Sequence, residues 1–242
     1  MRGPLVALVL VAAAGCASAS DQVGRSVVVR EILPSLVQLR SERDDGDRRA
    51  GSGVVVAEDP GSGRAWIITT RHLVDPPMRQ SLTARRAGRW EEVPAEIVRV
   101  SGDADLALVT ARGLGAKVAL LKPTTFIADE IWVAAFPWGR RLTLAGGIVS
   151  QILGPEGLMN LEGPPRMVDT SVSYGASGGG VFDAASGMLI AIVESYRTAK
   201  VVHPDAPGRV LEVPVPGETT VISSEAILRF LDEAGLGRFL RK

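Results

Sequence analysis

Ser173-Tyr174-Gly175-Ala176-Ser177-Gly178-Gly179-Gly180 is the stretch that decides how this chain is read. A serine flanked by glycines can present its hydroxyl and its own backbone N–H to one small target. Glycine tolerates φ > 0 and lets a carbonyl group approach the main chain closely. The turn runs straight into the apolar pair Val181-Phe182, which reads as the start of a buried strand. Ser177 is therefore a candidate nucleophile, and such a serine is inert without a base.

The chain has two histidines. His72 closes the run Ala65-Trp66-Ile67-Ile68-Thr69-Thr70-Arg71, an apolar strand pattern with the imidazole at its exit. His203 lies in Val202-His203-Pro204-Asp205-Ala206-Pro207-Gly208, a loop punctuated by proline and glycine. The carboxylate candidate is Asp105, which heads the apolar run Leu106-Ala107-Leu108-Val109. At the mouth of a strand an aspartate can be kept dry against the imidazole Nδ1–H, which fixes the tautomer. Asp103 is the alternative partner; Asp105 is preferred because it abuts the apolar run directly.

In the order His72, Asp105, Ser177 the chain resembles the chymotrypsin-like serine proteases, and its local words are nearer to the bacterial HtrA/Deg branch. Gly51-Ser52-Gly53-Val54-Val55 looks like the first barrel strand of that branch. Ile68-Thr69-Thr70-Arg71-His72 resembles its histidine motif, Asp105-Leu106-Ala107-Leu108 its aspartate motif, and Gly147-Ile148-Val149-Ser150 a later strand start. Asp169 precedes the serine as an aspartate does in that family. Several words recurring in one order are far more specific than any one alone. The resemblance implies an all-β fold of two six-stranded antiparallel β-barrels with a C-terminal α-helix. It implies a serine endopeptidase with His72, Asp105 and Ser177 as catalytic triad. The oxyanion hole would be built at Gly175, Ala176 and Ser177. Ser171 would floor the substrate pocket, with Ile192, Val193 and Glu194 as walls. Ser171 carries no charge, so a demand for Lys or Arg before the cut is not implied; a small or medium apolar residue is. The departures are Ala176 where the family usually has Asn, Gly180 where it has Pro, and Tyr174 at a position commonly Pro. No room for a PDZ domain is expected after the protease region.

The 242 residues suit one domain of two small barrels or one larger α/β unit, and 46% hydrophobic residues are enough for a sizeable core. A formal net charge of +0 points to no nucleic acid and to no strongly charged partner. Abundant glycine and proline, 27 and 15 residues, favour many turns between short strands. Arg2, the apolar stretch from Leu5 to Ala14, and Ala13-Ala14-Gly15-Cys16 read as an export signal over 1–15. Cys16, the single cysteine, resembles a lipobox cysteine that is lipidated and becomes the mature N-terminus. An ordinary signal peptide cleaved nearby is the plainer reading. Residues 16–26 would then form a lipidated tether and 27–242 the protease domain. Barrel 1 is expected at about 27–115, barrel 2 at about 116–221 and the helix at about 223–241. The expected location is the periplasmic side of a membrane, the outer membrane before the inner because Ala17 follows the cysteine. One cysteine excludes an internal disulfide, and the distant histidines suggest neither metal nor cofactor.

Along the chain, Ser41 to Arg49 reads as a solvated charged loop and Gly154 to Pro165 as a mobile one. Met188 to Ser195 and Leu211 to Val215 read as strands, and Ser223 as the N-cap of an amphipathic helix packed on barrel 2. Two rival classes remain. Gly175-Ala176-Ser177-Gly178-Gly179 also fits the nucleophile elbow of α/β-hydrolases, but His203 and Asp205 follow it in the wrong order and the strand–helix alternation is missing. A catalytically weak or inactive protease-like lipoprotein, binding a partner at the cell envelope, is the other.

Overall fold

The apolar run 65–68 shows no alternation because its two faces are buried in two different cores. Ala65 and Ile67 point into one, Trp66 and Ile68 into another. A strand covered on both sides reads as continuously hydrophobic. In the computed structural model, which describes residues 24–77, 80–155, 160–202 and 210–240, this run lies in the third of fourteen strands.

The first six are β1 (Leu36–Arg43), β2 (Arg48–Asp59), β3 (Arg64–Thr70), β4 (Gln80–Arg86), β5 (Val93–Val100) and β6 (Leu106–Arg112). They close into an antiparallel barrel in the order β1-β2-β3-β6-β5-β4. After β7 (Thr125–Phe126) come β8 (Glu130–Ala135), β9 (Thr143–Ile152), β10 (Glu162–Gly163), β11 (Pro165–Val168), β12 (Gly180–Asp183), β13 (Leu189–Val202) and β14 (Val210–Ser223). β7 and β10 pair separately, and the rest close a second six-stranded barrel, β11-β14-β13-β12-β8-β9. Val37, Leu39, Val55, Ile67, Leu82 and Val109 fill the first barrel. Ile131, Val133, Val149, Val168, Val181, Ile190 and Val193 fill the second. A third core, with Leu36, Val54, Ile68, Leu108, Phe136, Phe182, Leu189 and Ile192, welds the barrels together. The expected all-β, two-barrel fold is present.

Helix α1 covers 24–32, so residues 24–26, assigned to the tether, are helical instead. The short helix α2 (Arg71–Val74) follows β3, and α3 (Ser224–Glu233) follows β14. Ser223 caps α3 by accepting a hydrogen bond from the Ala226 N–H at 3.3 Å. Ile227, Phe230 and Leu231 bury themselves in the inter-barrel core rather than on barrel 2 alone. Past α3, Phe239 stacks on Trp66 of β3 at 4.8 Å between ring centroids, and Arg99 of β5 donates to the Glu233 carbonyl. The tail therefore grips both barrels.

Three expected boundaries are corrected. The charged segment Ser41 to Arg49 is mostly strand: β1 runs to Arg43 and β2 starts at Arg48, with Glu42 opposite Arg48 in register. The 2.8 Å ion pair between those two side chains explains how a charged run can be a ladder. The strands read at Met188 to Ser195 and Leu211 to Val215 are far longer, each 14 residues. Part of the Gly154 to Pro165 loop is ordered as β10 against β7. The signal segment 1–15, Cys16 and the His203 loop lie outside the described residues. Among the described residues no helix is long and apolar enough to cross a membrane.

Candidate active site

The end of β3 delivers His72. Its extended backbone stops at Thr70 and turns into α2. Asp105, one residue before β6, fastens that first turn three times. Its carbonyl accepts from the Arg71 N–H at 3.1 Å, its Oδ1 accepts from the His72 N–H at 2.9 Å, and its Oδ2 lies 2.6 Å from His72 Nδ1. β3 and β6 are direct neighbours, Thr70 opposite Leu106, so the ladder itself brings these residues together. The Asp105 side chain is 18% exposed and the imidazole 52%, a shielded carboxylate holding an open ring. Asp103 is exposed, and its backbone N–H bonds to Ser101 Oγ. The Arg71 guanidinium donates to the Ser101 carbonyl at 3.0 Å and steadies the loop between β5 and Asp105.

Ser177 arrives from barrel 2 on a turn clamped by barrel 1. The centre of the clamp is Ser52 of β2, fully buried. Its N–H donates to the Ser177 carbonyl at 2.9 Å, and its hydroxyl donates to the Gly175 carbonyl at 2.9 Å. The same oxygen accepts from the Phe136 N–H at 2.8 Å, and the Ser52 carbonyl accepts from Thr69 Oγ1 at 2.7 Å. A Cβ placed on the neighbouring Gly51 would touch both Leu73, next to His72, and the Ser177 carbonyl, at 2.8 and 3.3 Å. The histidine helix and the serine turn thus meet over one glycine of β2.

The serine turn has a defined internal geometry. The Ala176 N–H closes onto the Ser173 carbonyl at 3.0 Å with Gly175 at φ 86°, a type II turn. The Tyr174 carbonyl accepts from the Trp138 N–H at 2.7 Å, so the 174–175 peptide presents the Gly175 N–H to the opposite side. The Ala176 N–H, expected among the oxyanion donors, is occupied inside the turn. Trp138 itself sits at φ 57°, a left-handed conformation rare for a bulky residue, and its ring packs on Tyr174 at 5.3 Å. The two departures at 176 and 180 fit their surroundings. Ala176 is buried in the barrel 2 core, and a Cβ on Gly180 would lie 2.3 Å from the Phe182 ring.

β13 forms the remaining wall. The Gly178 N–H donates to the Val193 carbonyl and the Val193 N–H to the Gly179 carbonyl, both at 2.8 Å. Glu194 follows at a β-bulge, half-buried beside the His72–Asp105 pair. Burial first, and then the charge of Asp105, push its carboxyl above the ordinary value; the Thr220 hydroxyl and His72 oppose that rise. Ile192 and Val193, expected as pocket walls, are corrected: they are 0% and 1% exposed, Ile192 in the inter-barrel core and Val193 inside barrel 2. Ser171 is exposed. Reading the sequence missed Ser52 as the clamp, although a serine between two glycines inside an apolar strand is a visible oddity. Among the described residues no group of three His, Cys, Asp or Glu side chains could hold a metal ion.

Two closed antiparallel six-stranded barrels, the first carrying the hydrogen-bonded His72–Asp105 pair and the second the glycine-flanked Ser177 turn, define the chymotrypsin-like fold class. The family model for the trypsin-like peptidase domain matches residues 51–192, and the chain belongs to that family. Among solved structures, the serine endoprotease from Yersinia pestis superposes with a TM-score of 0.63 at 20% identity, covering 87% of this chain and 66% of that one. An HtrA-type protease solved with a tripeptide gives 0.65 at 18% identity, over 89% of this chain and 64% of that one. Rv3671c from M. tuberculosis H37Rv, a serine-to-alanine mutant in an inactive form, gives 0.61 at 19% identity, over 87% and 91%. The chain therefore spans just under two thirds of the length of the first two. No curated protein sequence matches it.

Proposed function

We propose that this chain is an exported serine endopeptidase that hydrolyses peptide bonds of protein substrates through an acyl-enzyme. Ser177 Oγ attacks the scissile carbonyl carbon while His72 Nε2 takes its proton. The tetrahedral intermediate collapses, the C–N bond breaks, and His72 returns the proton to the leaving amine. Water then repeats the attack on the ester, with His72 again as base, and frees the acid and Ser177. Asp105 accepts the Nδ1–H bond and stabilises the imidazolium. The Gly175 and Ser177 N–H groups receive the oxyanion, each worth about 3–4 kcal/mol to the transition state. The observation that supports this reading is the 2.6 Å contact between His72 Nδ1 and Asp105 Oδ2 on barrel 1, the same barrel whose Ser52 N–H holds the Ser177 carbonyl at 2.9 Å.

The test is hydrolysis of an unfolded protein by the wild-type chain and by Ser177→Ala, together with labelling by a fluorophosphonate probe. Wild-type cleavage and labelling, both lost in the alanine variant while its circular dichroism is unchanged, are expected. Folded wild-type protein that neither cleaves nor labels would refute the peptidase and leave the protease-like binding lipoprotein. Anchoring through a lipid on Cys16, with the domain facing the periplasm, belongs to the same proposal. Cys16→Ser should move the protein from the membrane fraction to the soluble one, and unchanged membrane association would refute the anchor.

A further inference from the structure

The turn between β4 and β5 leaves a large apolar ring in water. Trp90 is 93% exposed, whereas an indole normally buries most of its surface. The Arg85 guanidinium lies over it, 6.0 Å from the ring centroid. The segment reads Arg85-Arg86-Ala87-Gly88-Arg89-Trp90-Glu91-Glu92. Glu92 is paired with Arg40 at 2.7 Å, so Glu91 alone offsets Arg85, Arg86 and Arg89. Arg112, exposed at the end of β6, adds a further positive charge. Between the turn and the chain after β6 lies a cavity of about 180 Å³, lined by Arg86, Arg89, Glu91, Val93 and Leu114, with room for one phosphate headgroup.

This turn lies at the end of barrel 1 away from the catalytic pair. β1 begins beside it, where the Leu36 carbonyl accepts from the Ala87 N–H at 2.9 Å. β1 ends eight residues on at Arg43, whose guanidinium donates to the carbonyl of Asp75, just past the helix that carries His72. The strand between spans about 24 Å at about 3.4 Å per residue. Barrel 2 has the same polarity. β12 leaves the Ser177 turn at Gly180 and runs to Asp183, whose carbonyl then accepts from the Gly187 N–H at 2.9 Å. A Cβ on Gly187 would lie 3.3 Å from both Val28 and Ile32 of α1. Helix α1 therefore packs on the end away from the serine, and it leads into β1 at Leu36.

We propose that the Trp90 turn is a docking surface for an anionic phospholipid bilayer, with the indole seated at headgroup level and the His72–Ser177 site facing away from the lipid. An indole has an apolar body and one N–H donor, which suits the boundary between headgroups and acyl chains. The arginines beside it supply the attraction to anionic headgroups, and their aliphatic stems can lie along the same boundary. A protein partner would need a pocket shaped for one protruding ring; a bilayer takes it anywhere. The place where the described chain begins agrees with this. Gly24 opens α1 on this same end, and Cys16 precedes it by eight residues, a reach of about 27 Å at most. A lipid on Cys16 would keep the domain within that distance of the bilayer, where a contact too weak to hold a free protein is enough to orient a tethered one. The strength of the docking rests on the proposed anchor; the surface itself does not. Substrates would then reach the site from the aqueous side, as soluble protein chains rather than membrane-embedded segments.

The experiment places the intact chain on vesicles of phosphatidylcholine and phosphatidylglycerol in equal parts, brominated on the acyl chains close to the headgroups to quench tryptophan fluorescence. Trp90 and Trp138 are 93% and 64% exposed, and Trp138 marks the serine end because its ring packs on Tyr174. Quenching should be seen in the wild type, lost in Trp90→Phe and kept in Trp138→Phe. Cys16→Ser, which cannot be lipidated at that position, should bind these vesicles at least about tenfold more tightly than vesicles of phosphatidylcholine alone, and the pair Arg85→Glu and Arg89→Glu should erase that difference. An anchored chain whose Trp90 is not quenched, or whose quenching disappears with Trp138→Phe, would overturn the docking and leave the lipid anchor standing. Equal binding of Cys16→Ser to charged and uncharged vesicles would overturn it as well. So would a dimer formed without vesicles and dissolved by Trp90→Ala, which would give the turn to a second copy of the chain. Quenching of Trp90 in a chain whose Cys16 is unmodified by mass spectrometry would refute the anchor and leave the docking surface standing.

Discussion

Ser52→Ala tests whether barrel 1 holds the serine turn. The hydroxyl joins the Gly175 carbonyl at 2.9 Å to the Phe136 N–H at 2.8 Å, with the residue 0% exposed. Alanine fits the space but leaves a buried acceptor and a buried donor without partners. Each such orphan costs about 1–3 kcal/mol, so a loss of about 2–4 kcal/mol is expected after local relaxation. With an m-value of about 2–3 kcal/mol per molar urea, the unfolding midpoint should fall by about 1 M at unchanged slope. The effect on rate is separate. The Gly175 carbonyl belongs to the peptide leading into Ser177, so releasing it loosens the donors that receive the oxyanion. The folded variant should lose about tenfold in kcat with little change in KM, because the lost interaction matters most in the transition state. Unfolding curves and steady-state kinetics on one preparation measure both. A midpoint and a kcat equal to those of the wild type would refute the clamp.

Glu194→Gln addresses the carboxyl beside the dyad. Its pKa is raised by burial and by Asp105, so in the folded chain it keeps a proton past the ordinary value of 4.5. Its stabilising contribution is complete below that value and is lost as pH rises through the raised one. The glutamine variant should therefore gain on the wild type in Tm as pH rises above the ordinary value of 4.5; a difference constant with pH would refute this. Gly178→Ala should prevent folding or cost more than about 3 kcal/mol: the glycine is at φ 80°, and a Cβ would lie 2.1 Å from the Ser52 carbonyl oxygen. Gly88→Ala, at φ 76° with open space around it, should cost only about 1 kcal/mol, and equal losses in urea melts would refute the steric account.

The sequence by itself made the fold class legible, through the resemblance of its local words to the chymotrypsin-like proteases, and singled out His72, Asp105 and Ser177 as the candidate triad. Local words carry that information: a strand ending at His72, an aspartate abutting a continuous apolar run, a serine among glycines. Each follows from short-range chemistry, in which side-chain alternation, turn propensity and backbone freedom act within a few residues. Periodicity could not tell which core each apolar residue enters. Ile192 and Val193 look like pocket walls until β13 is placed between two cores, where strand alternation sends one into the inter-barrel core and the other into barrel 2. The charges from Ser41 to Arg49 look like a loop until Glu42 finds Arg48 across the ladder. Ser52 and Glu194 acquire their places only when the barrels dock, and Trp138 only when barrel 2 closes, since their partners at Gly175, Asp105 and Tyr174 are distant in sequence. Tertiary structure decided those because a hydrogen bond or a desolvated charge depends on what other strands bring within a few ångströms.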